Sequence, residues 1–275
     1  MDSLQTLRHH RDVVALETFS VQALDVTGML KQIFPDIKKH FLDFTQRFSG
    51  TDKPVPLSRH QASFMKLLER HNYVDISPLT VYCPEGMTGT YLELAAALKR
   101  GAEHSAKVMD LLNQYTTYLA LLITNEYQRF STENSAKVYQ GLQEARTSLL
   151  KDIGACFNPG RHDTTMKYGT AVARNKDWEL VFGEVDTLSK LSNSVSREKL
   201  NAKVKEATQY MEKIVQMLKD GKMESTAYEV AQELSEGAYQ IACELEFFST
   251  MYFRVMAFNT SINESVDKIT DNLKS

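Results

Sequence analysis

The sequence has 275 residues and a formal net charge of −3 at pH 7. Its 43% hydrophobic and 24% charged residues are typical of a globular protein and exclude the composition of a disordered chain. With 12 glycines and 6 prolines, it has too few turn-forming residues for a sandwich or barrel of many short strands. The slightly acidic total provides no basic field for nucleic acid or anionic lipid. We therefore expect a helical protein whose partners are proteins or further copies of itself, without nucleic acid or peripheral membrane contact.

The expected location follows from the first residues and from the cysteines. The amino-terminal sequence lacks the apolar core of a secretory signal, and the longest apolar run, 118–123, is far too short to span a bilayer. Cys83, Cys156 and Cys243 lie far apart and form no metal-ligand spacing, which favours a reducing compartment. We expect a cytoplasmic protein, or one assembled into a particle made in the cytoplasm, with no transmembrane segment.

The first part of the chain, 1–72, contains short amphipathic stretches over 13–34, 37–48 and 58–71. Pro35 and the loop 50–56 separate them, so the sequence predicts three short helices that brace longer ones. Two later segments, 73–89 and 157–177, are irregular and rich in proline and glycine. Each contains a β-like run, 79–83 and 164–168, which indicates a small two-stranded ribbon between them.

The segment 90–156 is predicted to form two long helices. The first begins after Thr90, the expected N-cap, with Glu93 in the capping-box position. Its apolar seam continues from Tyr91 to Leu122. The second follows Ser135, and its apolar face is given by the seam Val138, Leu142, Ala145, Leu149 and Ile153.

The segment 178–275 is predicted to be a helical hairpin that ends in a very long helix. Ser196 is the expected N-cap of the first arm and Gly221 the expected residue after its C-cap. The last helix starts near Thr226 and extends for about 45 residues, or about 70 Å. Its two heptad seams are Leu234, Ile241, Phe248, Val255, Ile262 and Ile269, and Ala238, Leu245, Tyr252, Asn259 and Val266.

The fold class is therefore all-α, an elongated bundle of long heptad-patterned helices with short bracing helices and one small β-ribbon, in one domain overall. Within the last helix, Asn259 occupies a seam position, where a buried asparagine fixes register at a cost in stability.

No catalytic, metal or cofactor site is indicated. The seven histidines show no metal-binding spacing, and adjacent Glu103 and His104 point about 100° apart on a helix. Phosphate-loop, dinucleotide and serine-hydrolase motifs are absent from the sequence. Cys83 has no partner histidine marked by spacing, so a structural thiol is the expected interpretation.

Two groups of residues are candidates for interaction. The first is a cluster of aromatic residues in the last helix, which indicates either the centre of a bundle or a partner surface: Phe247, Phe248, Tyr252, Phe253 and Phe258. The second is the basic part of the irregular segment 157–177, an interaction loop or a polar connector: Arg161, His162, Lys167 and Arg174.

The stretch 224–246 contains six glutamates and no lysine or arginine, while the preceding 197–222 carries an excess of basic residues. An acidic face for a basic partner is one interpretation. Charge pairing between the two arms of the hairpin is the favoured one.

The leading functional hypothesis is a non-enzymatic structural or assembly protein, such as an adaptor or a subunit of a scaffold or viral particle. A membrane-surface or membrane-remodelling helical protein is the second hypothesis. An enzyme with a site on the irregular segments, using Glu85, Arg161, His162 and Asp163, is the third.

Overall fold

The computed structural model describes residues 26–49, 54–70, 80–83, 91–126, 132–153, 164–167, 175–223 and 225–274. These residues form an all-α fold with one two-stranded sheet, as the composition predicts. The helices are α1 Val26–Ser49, α2 Gln61–Arg70, α3 Tyr91–Ser105, α4 Val108–Ile123, α5 Thr132–Ile153, α6 Asn175–Asn193, α7 Arg197–Lys219 and α8 Ser225–Lys274. The strands are β1 Thr80–Cys83 and β2 Thr164–Lys167.

The predicted β-ribbon is confirmed. Strands β1 and β2 pair antiparallel, with Thr80 opposite Lys167 and Cys83 opposite Thr164. The strands fall within the two β-like runs of the sequence, and they tie together segments about 80 residues apart in the chain.

The chain divides into two compact units, each assembled from three segments. Unit 1 consists of Met1–Asp52, Lys107–Ser148 and Ser196–Ser249. Unit 2 consists of Lys53–Ala106, Leu149–Val195 and Thr250–Ser275. Helix α8 therefore contributes its first half to unit 1 and its second half to unit 2.

In unit 1, helices α1 and α4 both pack against α7. Helix α1 is continuous through Pro35, so the predicted break at that proline is wrong. The exposed Pro35 interrupts only the backbone hydrogen bonding, while the buried seam repeats at intervals of three or four residues on both sides of it. That seam is Leu30, Phe34, Ile37, Phe41, Phe44 and Phe48.

The predicted ends of helix α7 are confirmed. The Ser196 side chain caps the helix by accepting a hydrogen bond from the Lys199 backbone N–H at 3.4 Å. Gly221 has a φ of +64°, a left-handed conformation that glycine adopts without steric cost. The chain then turns and enters α8.

In unit 2, helices α2 and α3 pack against α6. The core at this point is aromatic: the Phe64 ring lies 4.8 Å from that of Trp178 and 6.1 Å from that of Phe182. Helix α6 was not recognised as a separate element in the sequence, although Trp178, Phe182, Val185 and Leu188 follow a helical spacing. It begins inside the segment predicted to be irregular.

The long helix predicted from Tyr91 to Leu122 is two helices, so this prediction is wrong in part. A turn at Ala106 and Lys107 separates α3 from α4. The buried Ser105 hydroxyl donates to the Ala102 carbonyl at 3.0 Å, a local bond that competes with helix continuation. Because Lys107 keeps a near-helical backbone, the apolar seam stays in phase across the turn. The boundary between units 1 and 2 falls at the same place.

The buried face of helix α5 also differs from the prediction. Val138 and Ala145 were expected to be buried, but both are exposed, and the next residues, Tyr139 and Arg146, are buried instead. A shift by one residue rotates the buried face by about 100°. The contacts made by Tyr139 and Arg146 explain that rotation.

Candidate functional site

A buried polar cluster joins α5 to the first half of α8 in unit 1. The Arg146 guanidinium donates to the Glu244 carboxylate and, at 3.0 Å, to the Gln240 side-chain oxygen. Gln240 in turn donates to the Gln143 oxygen at 3.4 Å. The side chains of Arg146 and Glu244 are only 8% and 2% exposed. This ion pair is therefore almost fully desolvated, and each charge depends on the other.

Two buried tyrosines lie in the same unit. The Tyr115 hydroxyl donates to the Leu234 carbonyl at 3.0 Å, which fixes α4 against α8. Burial raises the pKa of Tyr115 well above its ordinary value, and the nearby Tyr139 raises it further. The pKa of Tyr139 is also raised, first by burial and then by Tyr118 and Glu233. Both tyrosines are therefore strongly held in the neutral form.

This arrangement predicts alkaline sensitivity. In the unfolded chain a tyrosine ionises near pH 10, but in the folded chain Tyr139 keeps its proton to higher pH. The contribution of Tyr139 to the free energy of unfolding is therefore complete below pH 10. It is lost as the pH rises towards the folded pKa, at about 1.4 kcal/mol per pH unit. Urea unfolding at pH 9 and pH 11 should show a smaller alkaline loss in Tyr139→Phe than in the wild type. Equal losses in the two proteins would contradict the assignment.

In unit 2, residues 54–60 form a segment that we call the strap. It precedes α2 and has no regular secondary structure. Its backbone is held by side chains of α6 and of the second half of α8. We call the site formed by these side chains the strap groove. Of the strap side chains only Val55 is buried, at 2% exposed, whereas Leu57 is 52% exposed.

Helix α6 holds the start and the middle of the strap. The Val55 N–H donates to the Asn193 side-chain oxygen at 3.0 Å, and the Val55 carbonyl accepts from the Asn193 amide at 2.9 Å. The same carbonyl also accepts from the Ser189 hydroxyl at 2.7 Å. The Ser58 N–H donates to the Asp186 carboxylate at 2.7 Å. One face of α6 thus pairs with the strap backbone at two points.

Helix α8 holds the strap through two asparagines. Asn259, which is fully buried, donates to the Pro56 carbonyl at 3.0 Å and to the Val185 carbonyl of α6 at 2.9 Å. Asn263 donates to the Leu57 carbonyl at 3.0 Å and accepts from the Arg59 N–H at 2.8 Å. The groove therefore binds strap backbone atoms, a mode of recognition that is largely independent of side-chain identity.

The sequence identified only part of this site. Asn259 was recognised as a polar seam residue, but Asp186, Ser189, Asn193 and Asn263 were missed. The available signal was the spacing of four residues between Asn259 and Asn263, and between Ser189 and Asn193, which places each pair on one helical face.

The predicted aromatic interaction residues are mostly in the core. Phe247, Phe248, Tyr252 and Phe258 are each at most 3% exposed. The Phe248 ring lies 5.3 Å from that of Phe48 in an edge-to-face arrangement. Burial favours the interpretation that these four side chains pack inside the chain. Phe253 differs, because it is 39% exposed and lies 6.0 Å from the Tyr252 ring.

The predicted loop residues Arg161, His162 and Arg174 lie outside the described residues, as do Glu85 and Asp163. Lys167 is the last residue of β2, opposite Thr80 in the ribbon. In the glutamate-rich stretch 224–246, the buried Glu244 pairs with Arg146 of α5. In the preceding stretch 197–222, Glu212 of α7 pairs with Lys38 of α1. These two ion pairs join helices other than the arms that were expected to pair.

Within the described ranges, no group of three or more histidine, cysteine, aspartate or glutamate side chains is arranged to bind a metal ion. The helices in those ranges include none with the length and apolar character needed to cross a membrane. Comparison with protein-family models, curated proteins and solved structures gives no match.

Proposed function

We propose that this chain is a non-enzymatic structural or assembly protein, a helical subunit or adaptor in a larger protein complex such as a scaffold or a viral particle. The observation that carries the proposal is the sharing of α8 by two compact units. Leu234 and Ile241 are buried in the half that belongs to unit 1, and Val255 and Ile262 in the half that belongs to unit 2. A single helix built into two cores is a typical structural element of a scaffold.

The use of the buried polar side chains supports the same proposal. Arg146 and Glu244 neutralise each other between two helices, and Asn259 and Asn263 bind backbone groups. These groups stabilise packing and position one segment on another. Such contacts are those expected of a chain whose task is to hold a shape.

Phe253 is the proposed contact point for self-association. It is the one exposed member of the aromatic cluster, and aromatic side chains are enriched at the buried centres of protein interfaces. Leu180 of the same unit is also exposed, at 50%. A second copy that covers Phe253 would remove the exposed part of its ring from water.

Substitution of Phe253 tests this function. We expect the wild-type chain to form oligomers whose mass, measured by light scattering after size exclusion, increases with concentration. Phe253→Glu should weaken association at least about tenfold, because a charge would be buried at the contact. Leu42→Glu is the matched control, since Leu42 is also 39% exposed but lies in unit 1. A wild-type chain that stays monomeric at all concentrations, or equal effects of the two substitutions, would contradict the assignment.

A further inference from the structure

The strap is held in the manner of a bound peptide. Its contacts with α6 and α8 are hydrogen bonds between side chains of the helices and the strap backbone, rather than the backbone ladders of a sheet. Two asparagines each pair with both a donor and an acceptor: Asn193 with the two backbone groups of Val55, and Asn263 with Leu57 and Arg59. Paired side-chain amides of this kind can bind any extended segment that presents the same groups.

The strap is also suited to local detachment. Val55 is its only buried side chain, so release of the strap exposes little apolar surface. Pro54 and Pro56 restrict the backbone to extended conformations, which reduces the entropy lost when such a segment binds. His60, the last residue of the strap, has a φ of 55°, which is unfavourable for a residue with a side chain. The small buried surface and the backbone conformation of His60 lower the cost of releasing the strap, and the prolines favour binding of a proline-containing segment in its place.

Once the strap has detached, the groove would favour binding of another segment in its place. Asn259 is fully buried, and its side-chain oxygen accepts no hydrogen bond within the described part of the chain even when the strap is bound. Loss of the strap would leave its amide without the Pro56 carbonyl, and would leave the amide of the buried Asn263 without the Leu57 carbonyl. Unsatisfied buried polar groups are costly, so the open groove favours another extended backbone.

We propose that the strap groove of unit 2 is a peptide-binding site, occupied by the strap within the chain and by an extended, proline-containing segment of a partner protein when the strap detaches. The ligand needs a small apolar side chain at the position of Val55 and a free N–H at the position of Ser58, which Asp186 accepts. The site rests on the proposed adaptor function, for which it names the chemical class of partner.

The test uses the full chain with Val55→Asp, which weakens the strap by placing a charge in a buried position. The probe is a fluorescently labelled synthetic peptide with the sequence of residues 53–60, Lys-Pro-Val-Pro-Leu-Ser-Arg-His. Fluorescence anisotropy should show at least about tenfold tighter binding to the variant than to the wild type, because the intact strap competes for the groove. Hydrogen exchange of residues 55–59 verifies that the strap is released in the variant.

Two altered peptides distinguish recognition of the peptide backbone from non-specific binding. N-methylation at the serine removes the N–H that Asp186 accepts and should weaken binding by at least about tenfold. Alanine in place of the leucine should change binding less than about twofold, since Leu57 is half exposed. Equal effects of the two changes would overturn the proposal.

A released strap in Val55→Asp without peptide binding at millimolar concentration would also overturn it. So would strap exchange in the wild type that occurs only through global unfolding. The measurements are made at protein concentrations where light scattering gives a single monomeric species. Failure of the peptide site is then distinguishable from failure of self-association.

Discussion

Replacement of Glu244 by leucine is expected to reduce the free energy of unfolding by about 3–5 kcal/mol, the largest effect of any single substitution that we propose. The substitution leaves the Arg146 guanidinium buried at 8% exposure without its counter-charge. Gln240 remains as a neutral acceptor at 3.0 Å and compensates only in part. Arg146→Met should be similarly unfavourable, because it removes the positive charge that neutralises the buried Glu244 carboxylate. Urea unfolding followed by circular dichroism measures both losses.

The double variant Arg146→Met with Glu244→Leu separates pairing from packing. With both charges removed and the volume largely kept, stability should return to within about 1 kcal/mol of the wild type or exceed it. The exposed pair Lys38 and Glu212 is the control, with side chains 30% and 55% exposed. Glu212→Ala should cost less than about 1 kcal/mol. A single Glu244→Leu variant as stable as Glu212→Ala would show that the Arg146 charge is solvated.

The apolar seams were predictable because periodicity reports which face of a helix is buried. All eleven seam positions predicted in the last helix are at most 2% exposed. The heptad repeat extends over the whole of α8, so a local irregularity cannot move it to another face. The same reasoning identified the cap at Ser196 and the left-handed Gly221, since both depend on residues within one turn.

The errors arose where a tertiary contact overrides a local preference. Pro35 disrupts an isolated helix, yet six buried residues on one face of α1 hold the helix through it. On α5, Val138 and Ala145 form an apolar face. The buried face is set instead by the contact of Arg146 with Glu244, about one hundred residues away in the chain. A local sequence pattern around α5 cannot indicate Glu244 as the partner of Arg146.

The strap groove was also missed because its contacts are tertiary. Its hydrogen bonds to the strap join residues more than 120 positions apart, such as Ser58 with Asp186 and Leu57 with Asn263. Asparagine at a heptad position indicates a buried polar contact, but the sequence cannot identify which backbone group it binds. The fold supplies that group by placing the strap against two helices.

Gly237 of α8 provides the second large expected effect, because the Tyr139 ring occupies the space beside its Cα. A Cβ added to Gly237 would lie 2.5 Å from two ring carbons and 2.8 Å from the hydroxyl oxygen of Tyr139. The tyrosine is only 8% exposed and has little room to move. Gly237→Ala should therefore reduce the free energy of unfolding by about 1–3 kcal/mol. This is a net loss, because a Cβ placed so close to a buried ring costs more than the gain of about 1 kcal/mol that alanine brings to a helix interior.

Gly141 of α5 is the matched control, since no atom lies within 4 Å of a Cβ added there. Gly141→Ala should raise the free energy of unfolding, measured by urea denaturation, by about 0.5–1 kcal/mol through helix propensity alone. In a Tyr139→Ala background the ring is absent, so Gly237→Ala should change from unfavourable to favourable. That reversal of sign assigns the cost to the contact between Gly237 and Tyr139. If Gly237→Ala stabilised the chain as much as Gly141→Ala, the close packing of α5 against α8 would be refuted, and with it the rotation of α5 that buries Tyr139 and Arg146.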